Sequence, residues 1–178
     1  ANDQTPKMLE EIERVKQALL LGMPYLGICL GLQVAVKAAG GKVVRSPLKE
    51  VGFRDPSGEY FTVTLTEAGS CDPLTKHLPK QFKTFELHGE AVELVPGMEI
   101  LGEGGVCQPQ IVKIARNAYG FQCHFEITQE LLDTLLKKDP DLTQLNHDAV
   151  RADYCAIKDE YEQTAATIVR NFLALAGI

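Results

Sequence analysis

In the stretch PYLGICLGLQ, residues 24–33, Cys29 lies between Gly27 and Gly31 where an apolar run gives way to a helical pattern. A strand that turns sharply into a helix projects its corner residue from the carboxyl end of the sheet, and nearby glycines remove side chains that would clash there. The following helix directs unpaired amides and its positive end at the sulfur, which favours thiolate over thiol. The same amides, beginning with that of Leu30, can hold an oxyanion after attack on a carbonyl. A free cysteine is also often just a small buried apolar group, and the local pattern leaves both readings open.

A cysteine nucleophile needs a base, and the base needs an orienting group. The chain has four histidines. In YGFQCHFEIT, His124 and Glu126 stand two residues apart, so at a strand end both side chains face the same way. The carboxylate would then fix the imidazole tautomer, while His124 takes the thiol proton and later gives it to a leaving amine. Taken alone, the pair reads more simply as two polar residues on a surface strand; together with Cys29 it is more specific. His77 and His147 read as a surface loop and a helix entry.

The elements that must position these residues can be read from periodicity and caps. Residues 6–21 predict a helix: Thr5 can cap it, Pro6 suits its first turn, Glu10 and Glu11 favour its positive end, and Gly22 stops it. Leu9, Ile12, Val15 and Leu19 form its apolar face. MPYLGIC predicts a strand buried on both faces in a parallel sheet, and residues 30–39 a helix ending at Gly40-Gly41. EYFTVTLT, QFKTFEL, QIVKIA and YGFQCHF are further strand candidates. GEGG at 102–105 reads as a turn and not a phosphate loop, because no helix follows it. Helices return at 129–138 and from about 148 to 176. The alternation predicts an α/β fold, read as one domain over residues 1–178.

Composition narrows the function classes. Apolar residues make up 45% of the chain and charged residues 24%, an ordinary globular balance. A formal net charge of -6 with no basic stripe argues against a nucleic-acid partner. No apolar stretch reaches the ~20 residues of a membrane span, and no signal peptide is visible. Five cysteines without C-x-x-C spacing suit neither a disulfide framework nor a structural zinc site, so a reducing, cytoplasmic setting is expected. Cys71, Cys107 and Cys155 lack a His or carboxylate at ligand spacing, so neither a metal nor a cofactor is expected.

PYLGICLGLQ followed by YGFQCHFE resembles the class I glutamine amidotransferase domain, with its G-x-C-x-G elbow and distal Q-x-H-x-E segment. AGGKV, KEVG, VTLTEAG, DPLTKHLP and FELHGEAVELVPG also fall in family order, so the resemblance covers nearly the whole chain. It is closest to stand-alone, GMP-synthase-like amidotransferases and plant-type γ-glutamyl peptidases. The resemblance implies a three-layer αβα fold around an open, mostly parallel, flavodoxin-like sheet with extra antiparallel strands. It implies a Cys29-His124-Glu126 triad, a Leu30 oxyanion amide, Gln33 on the γ-glutamyl substrate and His88 beside the pocket. The implied substrate is glutamine or a γ-glutamyl compound, and the implied partner a synthetase subunit.

Departures from the family pattern set further expectations. Cys123 and Phe125 flank His124 where Phe or Trp and Pro are usual, and Cys123 is expected to pack on the opposite face. Glu90 stands where relatives often have Asp. The chain starts at ANDQTP, short of the family's first strand and of a Gly-Gly-Pro stretch that supplies a second oxyanion amide. A sheet lacking its N-terminal strand would have an open edge, at which a homodimer could form. A non-catalytic amidotransferase-like binding module is the alternative from another class. The related stress-chaperone and protease group fits less well, because it places its acidic residue before the cysteine.

Overall fold

The computed structural model describes residues 1–178. Helix α1 (Pro6–Leu20) begins where the Thr5 hydroxyl accepts the Met8 amide, with proline in its first turn. Glu10 and Glu11 lie beyond that first turn. The helix buries none of its residues fully, and only Val15 and Leu19 of the expected face reach a core cluster, while Leu9 is exposed.

Strand β1 (Tyr25–Ile28) leads through Cys29 into α2 (Leu30–Ala38). Five more strands complete its sheet: β3 (Thr62–Leu65), β4 (Gln81–Lys83), β6 (Glu99–Glu103), β7 (Pro109–Ala115) and β8 (Ala118–Phe121). Their order is β1-β8-β7-β6-β3-β4. Parallel pairing is confined to β1 and β8, and the other neighbours are antiparallel, so in the described chain the sheet is mixed. The short β7–β8 connection at residues 116–117 permits only a hairpin, which forces that pairing. A second, two-stranded antiparallel sheet joins β2 (Lys42–Gly52) to β5 (Glu86–Glu93).

Helices cover both faces of the large sheet, giving the expected αβα layering. On one side Leu32, Ala35 and Val36 of α2 meet Val112, Ile114 and Ala118. On the other, Ile168 of α5 (His147–Ala176) packs with Val63, Phe82, Ile111, Tyr119 and Phe121. A third cluster joins α4 (Gln129–Lys138) and the first half of α5 to Phe53 and Phe85. Strand β8 is covered on both faces, and its four residues are all buried. β1 also packs on both faces, Leu26 and Ile28 against one cluster and Tyr25 against the other, but only Gly27 is fully buried and β8 is its one neighbour in the sheet. QFKTFEL likewise divides at Thr84 and Phe85 between two sheets. No helix is long and apolar enough to cross a membrane.

Candidate active site

The corner residue pays a backbone cost: Cys29 has φ 48° and ψ -100°, a conformation rare for a residue with a side chain. Two backbone bonds hold it there. The Cys29 amide donates to Phe121 O at 2.7 Å, and the Gln33 amide donates to Cys29 O at 3.1 Å. The amides of Leu30, Gly31 and Leu32 precede that first helical bond and have no i-4 partner inside α2. The helix can sit so near the sheet only because Gly27 and Gly120 are paired across β1 and β8. A Cβ on Gly27 would lie 2.5 Å from Gly31 C, and one on Gly120 would lie 2.4 Å from Leu32 Cδ1.

His124 comes from the segment beyond β8 rather than from the strand itself. Its backbone is nevertheless pinned. His124 N–H donates to Phe85 O at 2.8 Å, and its carbonyl accepts from Phe85 N–H at 3.2 Å and from the Tyr161 hydroxyl at 2.9 Å. The side chain meets Glu126, with Nδ1 2.6 Å from Oε1. Glu126 Oε2 accepts the Phe125 amide at 2.9 Å, so both carboxylate oxygens are engaged.

The remaining imidazole nitrogen, Nε2, is buried and has no hydrogen-bond partner. Burial opposes protonation of His124, but hydrogen bonding and charge from Cys29 and Glu126 outweigh it and push its pKa up to about 10. Burial alone would raise the Glu126 carboxyl; the hydrogen bond and charge of His124 lower it instead. The sulfur is thus near enough to favour imidazolium, yet Nε2 closes no bond of normal geometry to it. Cys29 Sγ instead lies 3.6 Å from Gln122 Nε2 and 3.9 Å from Leu87 O.

The family model "Glutamine amidotransferase class-I" matches residues 3–139. The chain belongs to the class-I glutamine amidotransferase family. It is 35% identical over 123 residues to the glutamine amidotransferase-like protein YfeJ of Salmonella typhimurium, a match covering 69% of this chain and 48% of that one. One subunit of the glutamine-hydrolysing GMP synthase of Methanocaldococcus jannaschii is 32% identical over 66% of this chain and 60% of its own. A γ-glutamyl-L-1-hydroxyisopropylamide hydrolase of a Pseudomonas species is 31% identical, over 69% of this chain and 42% of its own. The matched regions span about half the length of these relatives. Among solved structures, SMU.1228c superposes with a TM-score of 0.80 at 26% identity, covering 92% of this chain and 69% of that one. A glutamine amidotransferase of Thermotoga maritima gives a TM-score of 0.80 at 17% identity over 96% of this chain and 71% of its own, a likeness of fold.

In this family member the other expected site residues are placed unevenly. Leu30 is the first residue of α2, with its side chain exposed and its amide beside the sulfur's corner. Gln33 is buried, and its Nε2 donates to Gln122 Oε1 at 3.4 Å, so its amide is engaged within the protein. His88 is buried against Glu86 and Glu50, and its neighbour Leu87 presents its carbonyl to the sulfur. Cys123 is fully buried in the core, on the packing side as expected. Gln122 was recognisable only as part of the Q-x-H-x-E pattern; its spacing of two from His124 is the signal that could have placed it at the sulfur.

Proposed function

We propose that this chain hydrolyses the γ-amide of glutamine through a γ-glutamyl thioester on Cys29. The Cys29 sulfur attacks the γ-carbonyl carbon, and the negative charge that develops on its oxygen is met by the Leu30 amide at the positive end of α2. The C–N bond breaks as the imidazolium of His124 protonates the departing ammonia. His124, now neutral, takes a proton from water, whose oxygen attacks the thioester; glutamate leaves and the proton returns to the sulfur–imidazole pair. Glu126 keeps the Nδ1 proton in place and supports the positive ring throughout. The observation that carries this reading is the His124–Glu126 contact of 2.6 Å with Nε2 left unpaired on the Cys29 side.

The name of the Pseudomonas relative favours a second substrate, a γ-glutamyl amide larger than glutamine. The name of the M. jannaschii relative favours delivery of the ammonia to a separate synthetase chain. One experiment separates the readings: purified protein is given glutamine and, separately, γ-glutamyl alkylamides, and ammonia, released amine and glutamate are measured. Glutaminase activity that disappears in Cys29→Ala, with a γ-glutamyl adduct trapped on Cys29 in the unaltered protein, supports the proposal. An adduct on another cysteine, or an undiminished Cys29→Ala enzyme, rejects it.

A further inference from the structure

The two sheets bury a second group of donor atoms that the chemistry above does not use. One ligand atom each from Glu50, His88 and Cys107 lies within 4.8 Å of the others, and all three residues are at most 5% exposed. They come from separate elements. Glu50 of β2 stands directly opposite His88 of β5, just past an irregularity in β2, and Cys107 enters from the loop between β6 and β7. Sequence spacing could not reveal such a cluster.

Ordinary hydrogen bonding accounts for only part of it. Glu86, two residues before His88, is well served: Oε1 accepts from the Thr84 hydroxyl at 2.8 Å, and Oε2 lies 3.0 Å from His88 Nε2. Glu50 Oε2 lies 3.4 Å from His88 Nε2, the nitrogen already in contact with Glu86, and makes no hydrogen bond, and His88 Nδ1 is buried with no hydrogen-bond partner. The Cys107 thiol has only a long contact to Pro109 O, at 3.9 Å. Burying carboxylates and polar nitrogens without full partners is costly, and here two carboxylates share one imidazole nitrogen while the other is unpaired, so the converging set calls for an additional positive group.

The kind of counterion follows from the donors. Magnesium and calcium take six or more oxygen ligands, which one thiol and one imidazole do not supply. A thiolate, an imidazole and a carboxylate are the ligand set of zinc and similar first-row dications. We propose that Glu50, His88 and Cys107 bind one zinc-type dication, with Glu86 holding the His88 ring from outside as a carboxylate–histidine–metal relay. Binding displaces the Cys107 thiol proton to solvent as the metal–sulfur bond forms. Loading would tie the β6–β7 loop to the second sheet beneath Leu87, whose carbonyl faces the Cys29 sulfur. The proposal is independent of the reaction assigned to Cys29.

Co2+ titration of chelator-treated protein tests it, performed on Cys29→Ala so that the Cys29–His124 pair cannot supply the sulfur. The expected result is one Co2+ per chain with a thiolate-to-cobalt charge-transfer band, displaced by Zn2+ and lost in Cys29→Ala/Cys107→Ser. His88→Gln on the same background weakens binding at least ~10-fold. X-ray absorption of the Zn2+-loaded Cys29→Ala protein needs no Cys107 variant, and should find one sulfur at about 2.3 Å. Absence of binding, a charge-transfer band that survives loss of Cys107, or a zinc shell without sulfur overturns the assignment.

Discussion

Two pairs in this molecule use the same residue types at the same spacing: His124 with Glu126, and Glu86 with His88. In the first, the imidazole is held through Nδ1 at 2.6 Å, the Glu126 side chain is 35% exposed, and the free nitrogen faces a sulfur at a helix start. In the second, the contact is through Nε2 at 3.0 Å, both side chains are only 2% exposed, and a second carboxylate, Glu50, closes in on the same nitrogen at 3.4 Å. A histidine and a glutamate two residues apart therefore specify a contact and not a role. Solvent access and the third partner determine whether the ring can exchange protons with a substrate or is sealed among charges.

The widest separation between the pairs is expected in catalysis. Replacing the proton-transfer group in His124→Gln should lower glutaminase kcat/KM by roughly 10²–10⁴, measured as ammonia release with folding checked by circular dichroism. A variant within a few-fold of the unaltered protein would remove His124 from the mechanism. At the sealed pair the corresponding substitution should act on folding. His88→Gln leaves Glu50 and Glu86 facing each other in a buried site, and removing one partner from a buried charged group costs about 3–5 kcal/mol, readable by urea denaturation. A loss below about 1 kcal/mol would mean that His88 does not compensate those carboxylates.

A direct titration sharpens the same contrast. Burial opposes the charged form of His124, while Cys29 and Glu126 favour it strongly enough to reach about 10. Removing the carboxylate in Glu126→Gln leaves the opposing influence in place and takes away a supporting one. The His124 pKa should then fall, by about 1–3 units for loss of an adjacent opposite charge, followed by nitrogen-15 NMR of the ring. An unchanged or higher value would show that Glu126 does not support the imidazolium.

How much of this was legible in sequence depends on range. The elbow is written in a short stretch, because Gly27, Cys29 and Gly31 must satisfy a local turn, and α1 announces itself through Thr5, whose hydroxyl accepts an amide of its first turn. His124 and Glu126 are equally local. β2 was missed because KVVRSPLKEVG carries Pro47 and an irregular polar pattern, and its pairing with β5 is fixed by distant residues. The contact of Gln33 with Gln122, which itself reaches the sulfur, joins residues far apart in sequence. The Glu50–His88–Cys107 cluster was illegible for the same reason: three elements contribute one donor each. The apolar run at β1 announced a strand but not its edge position, since a run reports the side chains it carries and not the number of strands beside it.

The elbow's packing offers a test of smaller size. Gly27→Ala places a methyl 2.5 Å from the Gly31 backbone, which cannot swing aside as a side chain can. Overpacking of this kind costs about 1–3 kcal/mol, and because the strain falls on the turn holding Cys29, glutaminase activity should drop with stability. A variant as stable as the parent would mean that α2 can lift from β1 without consequence.

The smallest expected effect is at Tyr25, where the two regions differ in how they satisfy polar groups. Its hydroxyl donates to Gly31 O at 2.8 Å, a single neutral bond within one strand–helix unit, with no ionised partner across it. Burial, followed by the charge of Glu11, pushes that phenol up to about 12, so it remains a donor throughout the pH range in which the protein would be assayed. Tyr25→Phe removes the bond and keeps the ring packing against α2, and the loss should be about 0.5–1.5 kcal/mol. Gly31 O lies on the partly exposed first turn of α2, where water can replace the lost donor, which is what holds the cost down. The buried Glu50 and Glu86 have no such recourse when His88 is removed. A Tyr25→Phe loss as large as that of His88→Gln would erase the distinction, because it would show that the elbow, too, depends on a buried polar group that solvent cannot rescue.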